Sequence, residues 1–426
     1  MILLAALPLL PVVPEKPLVR DFIGLNTHTI QFRPELYKPV AKLIRNYHPV
    51  EWDLANDPKN TTTFPKARNG VDWMSLYGEW KRQGFVTEAS LMFESIKGDK
   101  WTDIPTQAFR YGESLAGFFG PSGTQPVLEA VEIGNEPTDF DEATYRSMFE
   151  NMAKGIRKGD PKMLIATCAV AIGKEDKYSK DVNSLKGLEK LYDVLNVHSY
   201  AFVEPWPTWR RTYPEDPATG YLKQIQKVID WRDKNAPGKK VWLTEFGYDA
   251  STKPPPTTGD FSKWVDVTDE QQAQYIVRSF AVLSRMNLDR AYLYWFNDED
   301  TPQLHGSSGL TRNYLPKPSY RALAHMQKTL GGYRFSKALV EKAGEAYVYE
   351  FTKKGSKHKI LMAWSPTGSA REEKIGLFAY GTAKVERVEQ MPISADPASK
   401  VRFTVSPNRG LQFPISESPA YVFIKA

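Results

Sequence analysis

Cysteine is nearly absent from this chain: Cys168 is the only one among 426 residues. A disulfide framework is therefore excluded, as is a thiolate metal site, which needs several sulfurs at ligand spacing. Cys168 sits in the apolar run "MLIATCAVAIG" (163–173) with no basic neighbour to activate it, and reads as a buried thiol. Long hydrophobic runs are also missing. No apolar stretch approaches the ~20 residues that span a bilayer, and mean hydropathy is −0.46, so no membrane partner is expected. Neither G-x-G-x-x-G nor G-x-x-x-x-G-K-[ST] occurs, which removes the phosphate-cradling turns of nucleotide-binding sheets. Without H-x-H or H-E-x-x-H, no metal site is expected. Charge of one sign is not concentrated either: 56 basic and 50 acidic residues are interspersed, for a net charge of +6. The densest basic patch, "KKGSKHK" (353–359), lacks the interleaved aromatics of a nucleic-acid surface and reads as a solvated hairpin tip. Mild basicity leaves an acidic glycan conceivable and excludes little else.

Aromatics, by contrast, are plentiful, with 11 Trp, 21 Tyr and 21 Phe. They suffice for a large core and leave rings over for surfaces. Short apolar runs rich in β-formers recur at 21–29, 42–50, 84–93, 127–136, 163–172, 193–200, 240–249 and 290–298. Helical spacing fills 102–120, 142–160, 220–238 and 268–287 between them, the last opening on a plausible N-cap at Thr268. Eight strands alternating with helices predict an α/β fold, a (β/α)8 TIM barrel over residues 21–330. After "SYRALAHMQKTLGGY" (319–333) the texture changes to period-two alternation broken by Gly, Pro and Ser. This predicts a C-terminal antiparallel β-sandwich domain over 331–426. Residues 1–20 form an apolar, proline-bearing leader without a basic start. They read either as a residual signal segment, which favours a secreted or periplasmic protein, or as a strand lent to the β domain. Oligomeric state is not legible.

In such a barrel, function collects at the C-terminal ends of the strands. Those ends carry His28, Arg45, His48, Glu94, Asn135, Glu136, His198, Tyr200, Glu245, Trp295, Asn297 and Asp298. Glu136 ("IGNEP", 133–137) and Glu245 ("WLTEFGYD", 242–249) close the fourth and seventh strands, on opposite sides of the ring. Two carboxylates across a barrel mouth can break a glycosidic bond, one as acid and one as nucleophile, when they stand ~5–5.5 Å apart. A structural ion pair or other barrel chemistry is open on topology alone. Glu132 lies deeper on the same face as a buried acid that needs a partner, for which Arg45 is the candidate; it orients rather than reacts.

These two motifs resemble the strand-four and strand-seven signatures of clan A retaining glycoside hydrolases. The resemblance implies Glu136 as acid/base, Glu245 as nucleophile and Asn135 as a partner of the sugar 2-hydroxyl. "HSY" (198–200) is similar to the His-x-Tyr of family 5, which implies that Tyr200 donates to the nucleophile and places His198 at the site. "YWFND" (294–298) puts Trp295 where the clan keeps an aromatic floor, and "IRNYH" (44–48) puts Arg45 beside the nucleophile. "GLTRNYLPKPSYRAL" (309–323) looks like the run after strand eight in several clan A families, and the β domain resembles the architecture of family 39.

His28, His48 and Asn297 join the candidate substrate-binding residues, the two histidines equally readable as packing beneath the site. Glu94 is a candidate contact to a sugar hydroxyl, and His305 falls near the rim. Trp206, Trp209 and Tyr213 in the loop 201–220 either build subsites or pack between domains. The expected partner is a poly- or oligosaccharide, with no nucleic acid. No cofactor is implied, because two carboxylates suffice. A transglycosylase would use the same residues. A carbohydrate-binding pseudoenzyme is disfavoured by the presence of both acids. The sugar, and exo against endo action, are not fixed; the latter depends on loops 201–220 and 297–316.

Overall fold

A computed structural model describes residues 15–173, 177–366 and 371–425. Eight parallel strands form a closed ring: β1 (Ile23–Thr27), β2 (Leu43–Pro49), β3 (Val86–Met92), β4 (Ala130–Ile133), β5 (Leu164–Ala171), β6 (Val194–His198), β7 (Lys240–Phe246) and β8 (Arg290–Leu293). The β1–β8 pairing closes it. Five substantial helices flank the ring: α1 (Ile104–Phe119), α2 (Glu142–Gly159), α3 (Tyr221–Asn235), α4 (Asp269–Arg285) and α5 (Pro318–Leu330). In α2 the spacing of Tyr145, Met148, Phe149, Met152 and Ile156 gives one buried stripe. α4 begins with a complete capping box between Thr268 and Gln271. After β1, β2 and β5 the helix shrinks to Pro34–Tyr37, to the short stretch Met74–Arg82, and to the 3-10 turn Val182–Leu185. Helix α1 touches α2 backbone to backbone, since a Cβ on Gly155 would lie 2.0 Å from the Phe109 carbonyl oxygen.

The inside of the ring changes chemistry from bottom to top. Leu43, Ala130, Val194, Trp242 and Tyr292 fill its base. Two residues later along the strands stand Arg45, Glu132, Asn196 and Thr244, all buried. A strand's side chains alternate with period two, so each apolar plug is followed on the same face by a polar group. Cys168 is buried in β5, and burial raises its thiol well above the usual range.

Beyond α5 come eight antiparallel strands: β9 (Arg334–Lys342), β10 (Ala346–Thr352), β11 (Lys359–Trp364), β12 (Glu373–Leu377), β13 (Lys384–Gln390), β14 (Thr404–Ser406), β15 (Gly410–Ile415) and β16 (Ala420–Lys425). They form a five-stranded sheet, β9-β10-β11-β16-β13, and a three-stranded sheet, β12-β15-β14. Val348, Leu361, Ala363 and Val422 face the small sheet's Leu411 and Phe413. On the opposite face Tyr349, Phe351, Met362, Trp364 and Tyr421 join the barrel's own core. The sandwich is thereby fastened to the barrel by a continuous apolar layer.

The leader's first 14 residues lie outside the described residues. Residues 15–18 belong to no strand and Val19–Phe22 is a helical turn, so the described part of the leader lends no strand to the sheets. Among the described residues no helix is long and apolar enough to cross a membrane.

Candidate active site

Two local departures from regular strand geometry aim the acids. At the end of β4, Gly134 has φ +83°, and a Cβ there would lie 2.7 Å from the Phe93 ring. The turn it permits sends both Asn135 and Glu136 to the barrel mouth. Glu94 secures that turn: its Oε1 accepts the backbone N–H of Asn135 at 2.6 Å and of Glu136 at 3.1 Å. Burial pushes the Glu94 carboxyl up to about 7 against the pull of those donors. In β7 the register with β6 runs Val197↔Leu243 and then His198↔Glu245, one extra residue. Strict alternation would place Glu245 on the outward face with Leu243; the bulge turns both Thr244 and Glu245 inward.

Glu245 is held by three donors. Arg45 Nη1 and the Tyr47 hydroxyl donate to Oε1 at 3.0 and 2.7 Å, and the Tyr200 hydroxyl donates to Oε2 at 3.0 Å. Burial alone would raise this carboxyl; the charges of His198 and Arg45 and the Tyr47 bond outweigh it and hold it at about 2. Arg45 is itself fully buried and bidentate on Glu132, at 2.9 and 2.8 Å. Its remaining bonds go to Asn26 at 2.8 Å, Asn135 at 2.7 Å and Ser90 at 3.3 Å.

His198 links the two acids. Its Nδ1 is 2.8 Å from Glu136 Oε1 and 3.6 Å from Glu245 Oε2. Its Nε2 lies 3.0 Å from Thr244 Oγ1, whose own proton goes to Asn196 Oδ1. Thr244 must therefore accept from Nε2–H, so the second exchangeable proton of the ring lies on the line between Nδ1 and Glu136. Burial lowers the imidazole's pKa, but the Glu245 charge and the Glu136 bond prevail and raise it above its ordinary value.

Around the acids is a cavity of about 190 Å³, walled by Asn135, Tyr47 and Tyr200, with Tyr294 and His305 completing it. Arg211 stands behind this wall. It pairs with Asp249 at 2.9 Å, donates to the Gly247 carbonyl, lies over the Tyr200 ring, and donates to His305 Nδ1 at 3.2 Å.

Several expected site residues sit elsewhere or do other work. His48 is buried on the outer side of β2, bonded at 2.7 Å to both Tyr77 and Asp53 and stacked on Trp73. It shares no face with Arg45, being three positions along the strand. Asn297 is buried and structural: its Oδ1 accepts from Thr311 at 3.0 Å and from the Tyr314 N–H at 2.6 Å. The carbonyl of Asn297 accepts from His28 at 2.7 Å. Trp295 lies between His28, tilted against it at 3.7 Å, and Tyr294, stacked on it at 4.8 Å, and the ring that reaches the cavity wall is Tyr294. Glu94 holds backbone instead of facing the cavity. Tyr213 packs in the shared core near Tyr275, while Trp206 is 63% exposed. Tyr47, Tyr294 and Arg211 were not singled out by their sequence context. Alternation offers the first two, as Tyr47 follows Arg45 and Tyr294 follows Tyr292 by two residues. Nothing local marks Arg211.

Glu136, His198 and Glu245 offer three ligand atoms within 4.8 Å of one another. A divalent cation accepts carboxylate and imidazole donors. Here the permanent charge of Arg45 stands 3.0 Å from Glu245 Oε1, where it would repel such an ion.

No protein-family model matches the sequence, and no curated protein does. Solved structures do resemble it. A family 39 glycoside hydrolase from Bacteroides cellulosilyticus WH2 has a TM-score of 0.72 at 18% identity, covering 97% of this chain and 83% of its own. The family 51 α-L-arabinofuranosidase AbfB from Bifidobacterium longum has a TM-score of 0.64 at 11% identity, covering 96% of each chain. A glucosidase from Croceicoccus marinus has a TM-score of 0.61 at 12% identity, covering 97% of each chain. The chain thus has the fold of clan A glycoside hydrolases, a closed (β/α)8 barrel carrying a β-sandwich.

Proposed function

We propose that the chain is a retaining glycoside hydrolase acting on a poly- or oligosaccharide, with Glu245 as nucleophile and Glu136 as acid/base. One observation carries this reading. The nearest oxygens of the two carboxylates lie within 4.8 Å of one another, which agrees with the ~5–5.5 Å carboxyl separation of retaining enzymes better than with the ~6.5–9.5 Å of inverting ones. Glu245, ionised and with Oε2 engaged by a single donor, attacks the anomeric carbon. Glu136 gives its proton to the departing glycosidic oxygen, and a glycosyl ester forms on Glu245. Water then enters and loses a proton to Glu136. It attacks the same carbon, the ester breaks, and the Glu245 carboxylate is restored. His198 keeps a proton within reach of Glu136 throughout, and Asn135, anchored by Arg45, is positioned for the sugar 2-hydroxyl. The 1H NMR spectrum of the first-formed product tests this. Initial release of the same anomer as the substrate is expected; the opposite anomer would rule out double displacement.

A further inference from the structure

The cavity at the carboxylates is small. At about 190 Å³ it falls below the ~300–1,000 Å³ of pockets that take drug-sized ligands. It has room for one sugar ring. The loops after β6, β7 and β8 are knitted together on one side of it: Val265 N–H donates to Thr208 O at 2.9 Å and Ala250 N–H to Ser307 O at 3.1 Å. Asp300 accepts from Ser251 at 3.0 Å and from the Thr252 N–H at 2.9 Å. Arg211 completes the seam through Asp249 and His305. A wall bonded at four places is part of the resting fold.

The charge of the cavity selects further. Its lining contains two carboxylates and no Lys or Arg. The nearest cations are already committed, Arg45 to Glu132 and Glu245, and Arg211 to Asp249. A sugar carboxylate placed here would meet the ionised Glu245 and no free cationic partner. His305 supplies a neutral donor instead. Arg211 donates to its Nδ1, so the ring proton sits on Nε2. The Tyr200 and Tyr294 rings hold the imidazole edge-on at 5.0 and 5.3 Å. Burial and the Arg211 charge lower its pKa to about 4, so it stays uncharged above pH 5.

We propose that this site takes the neutral, non-reducing terminal sugar of a glycan, that His305 is the side chain that recognises it, and that cleavage proceeds from the chain end. The inference rests on the hydrolase reading. In a double displacement the sugar in the cavity is the one that forms the ester. In this proposal the wall made by the three bonded loops faces that sugar's non-reducing side, so the chain does not extend beyond it.

The test gives the purified full chain borohydride-reduced neutral oligosaccharides, and aryl glycosides of neutral sugars beside the matching glycuronides. A reducing monosaccharide should be the sole early product, with glycuronides turned over about 100-fold more slowly or worse, as like charges in one site dictate. His305→Ala, checked for an unchanged melting temperature, should raise KM about 3- to 10-fold, the loss of one neutral hydrogen bond. His305→Gln, which keeps an N–H donor, should recover part of that. Early products longer than one sugar that still depend on Glu245 would overturn chain-end action while leaving the hydrolase intact. Glycuronide turnover at the neutral rate would overturn neutrality, and an unchanged KM in His305→Ala would overturn its role. No release from any substrate by a folded protein would overturn the hydrolase reading, and this inference with it.

Discussion

Arg45 spends every guanidinium nitrogen on groups that must not move: Glu245, Glu132, Asn26, Asn135 and Ser90. One residue thereby fixes Glu245, the proposed nucleophile, Asn135 beside Glu136, and the buried Glu132 carboxyl. Tyr47 adds the shortest bond to Glu245, at 2.7 Å. Tyr47→Phe removes a bond to a charged group and should lower kcat/KM about 10- to 100-fold without unfolding the protein; an unchanged value would show that the phenol does not stabilise the carboxylate. The pH profile follows from the two shifted groups. Glu245, held at about 2, is ionised throughout the working range, so its protonation gives no acid limb above pH 4. The proton between His198 and Glu136 is retained upward because the imidazole pKa is raised, and activity should fall only on the alkaline side of the ordinary histidine value. His198→Gln removes the imidazole whose pKa is raised and should therefore displace that limb; an unmoved limb would exclude His198 as its origin. At this scale Glu136 and Glu245 could be picked out because both end strands of a barrel, where side chains collect at the mouth; Glu94, which also follows a strand, holds backbone instead. His48, open in the sequence to lining the site or packing beneath it, packs, and Asn297 binds backbone instead of facing the cavity; a polar residue near a strand end points to either face, and only alternation counted from Arg45 separates Tyr47 from His48.

Regular elements alone would not assemble the site. The β7 bulge and the Gly134 turn each break period two at the position where a carboxylate is required. Gly134→Ala combines a positive φ with a Cβ 2.7 Å from Phe93. It should cost about 1–3 kcal/mol of stability and lower kcat more than it raises KM, since it displaces Asn135 and Glu136 together. Wild-type kcat with a lowered melting temperature would show that the turn serves only the fold. The eight barrel strands were readable because strands covered on both faces are nearly continuous apolar runs. The bulge was not, since an inserted residue leaves no compositional trace. Three sandwich strands lack a clear alternation in the sequence: β9 and β12 are largely exposed, and β15 contains Pro414 beyond Gly410, residues that argue against a strand.

In the whole molecule, the sandwich and the cavity wall meet at one loop. Glu215, in the loop after β6, takes two bonds from Arg278 of α4 at 3.0 and 2.7 Å and a third from Trp364 of β11. Arg211, four residues earlier, braces His305. Arg278→Met strands the buried Glu215 carboxylate and should cost about 3–5 kcal/mol, read as a lower denaturation midpoint. An unchanged midpoint would mean that the junction contributes nothing. The presence of a sandwich was visible in its alternation, but its attachment was not, because Glu215, Arg278 and Trp364 are far apart in sequence. The most direct measurement compares reducing-sugar release by the wild type, Glu245→Gln and Glu136→Gln across neutral polysaccharides, oligosaccharides and aryl glycosides. Release by the wild type that disappears in Glu245→Gln, with Glu136→Gln retaining activity only on aryl glycosides whose leaving group needs no proton, is the expected result. Release that persists in Glu245→Gln would contradict the assignment of the nucleophile and, with it, the reading of the barrel mouth as a retaining site.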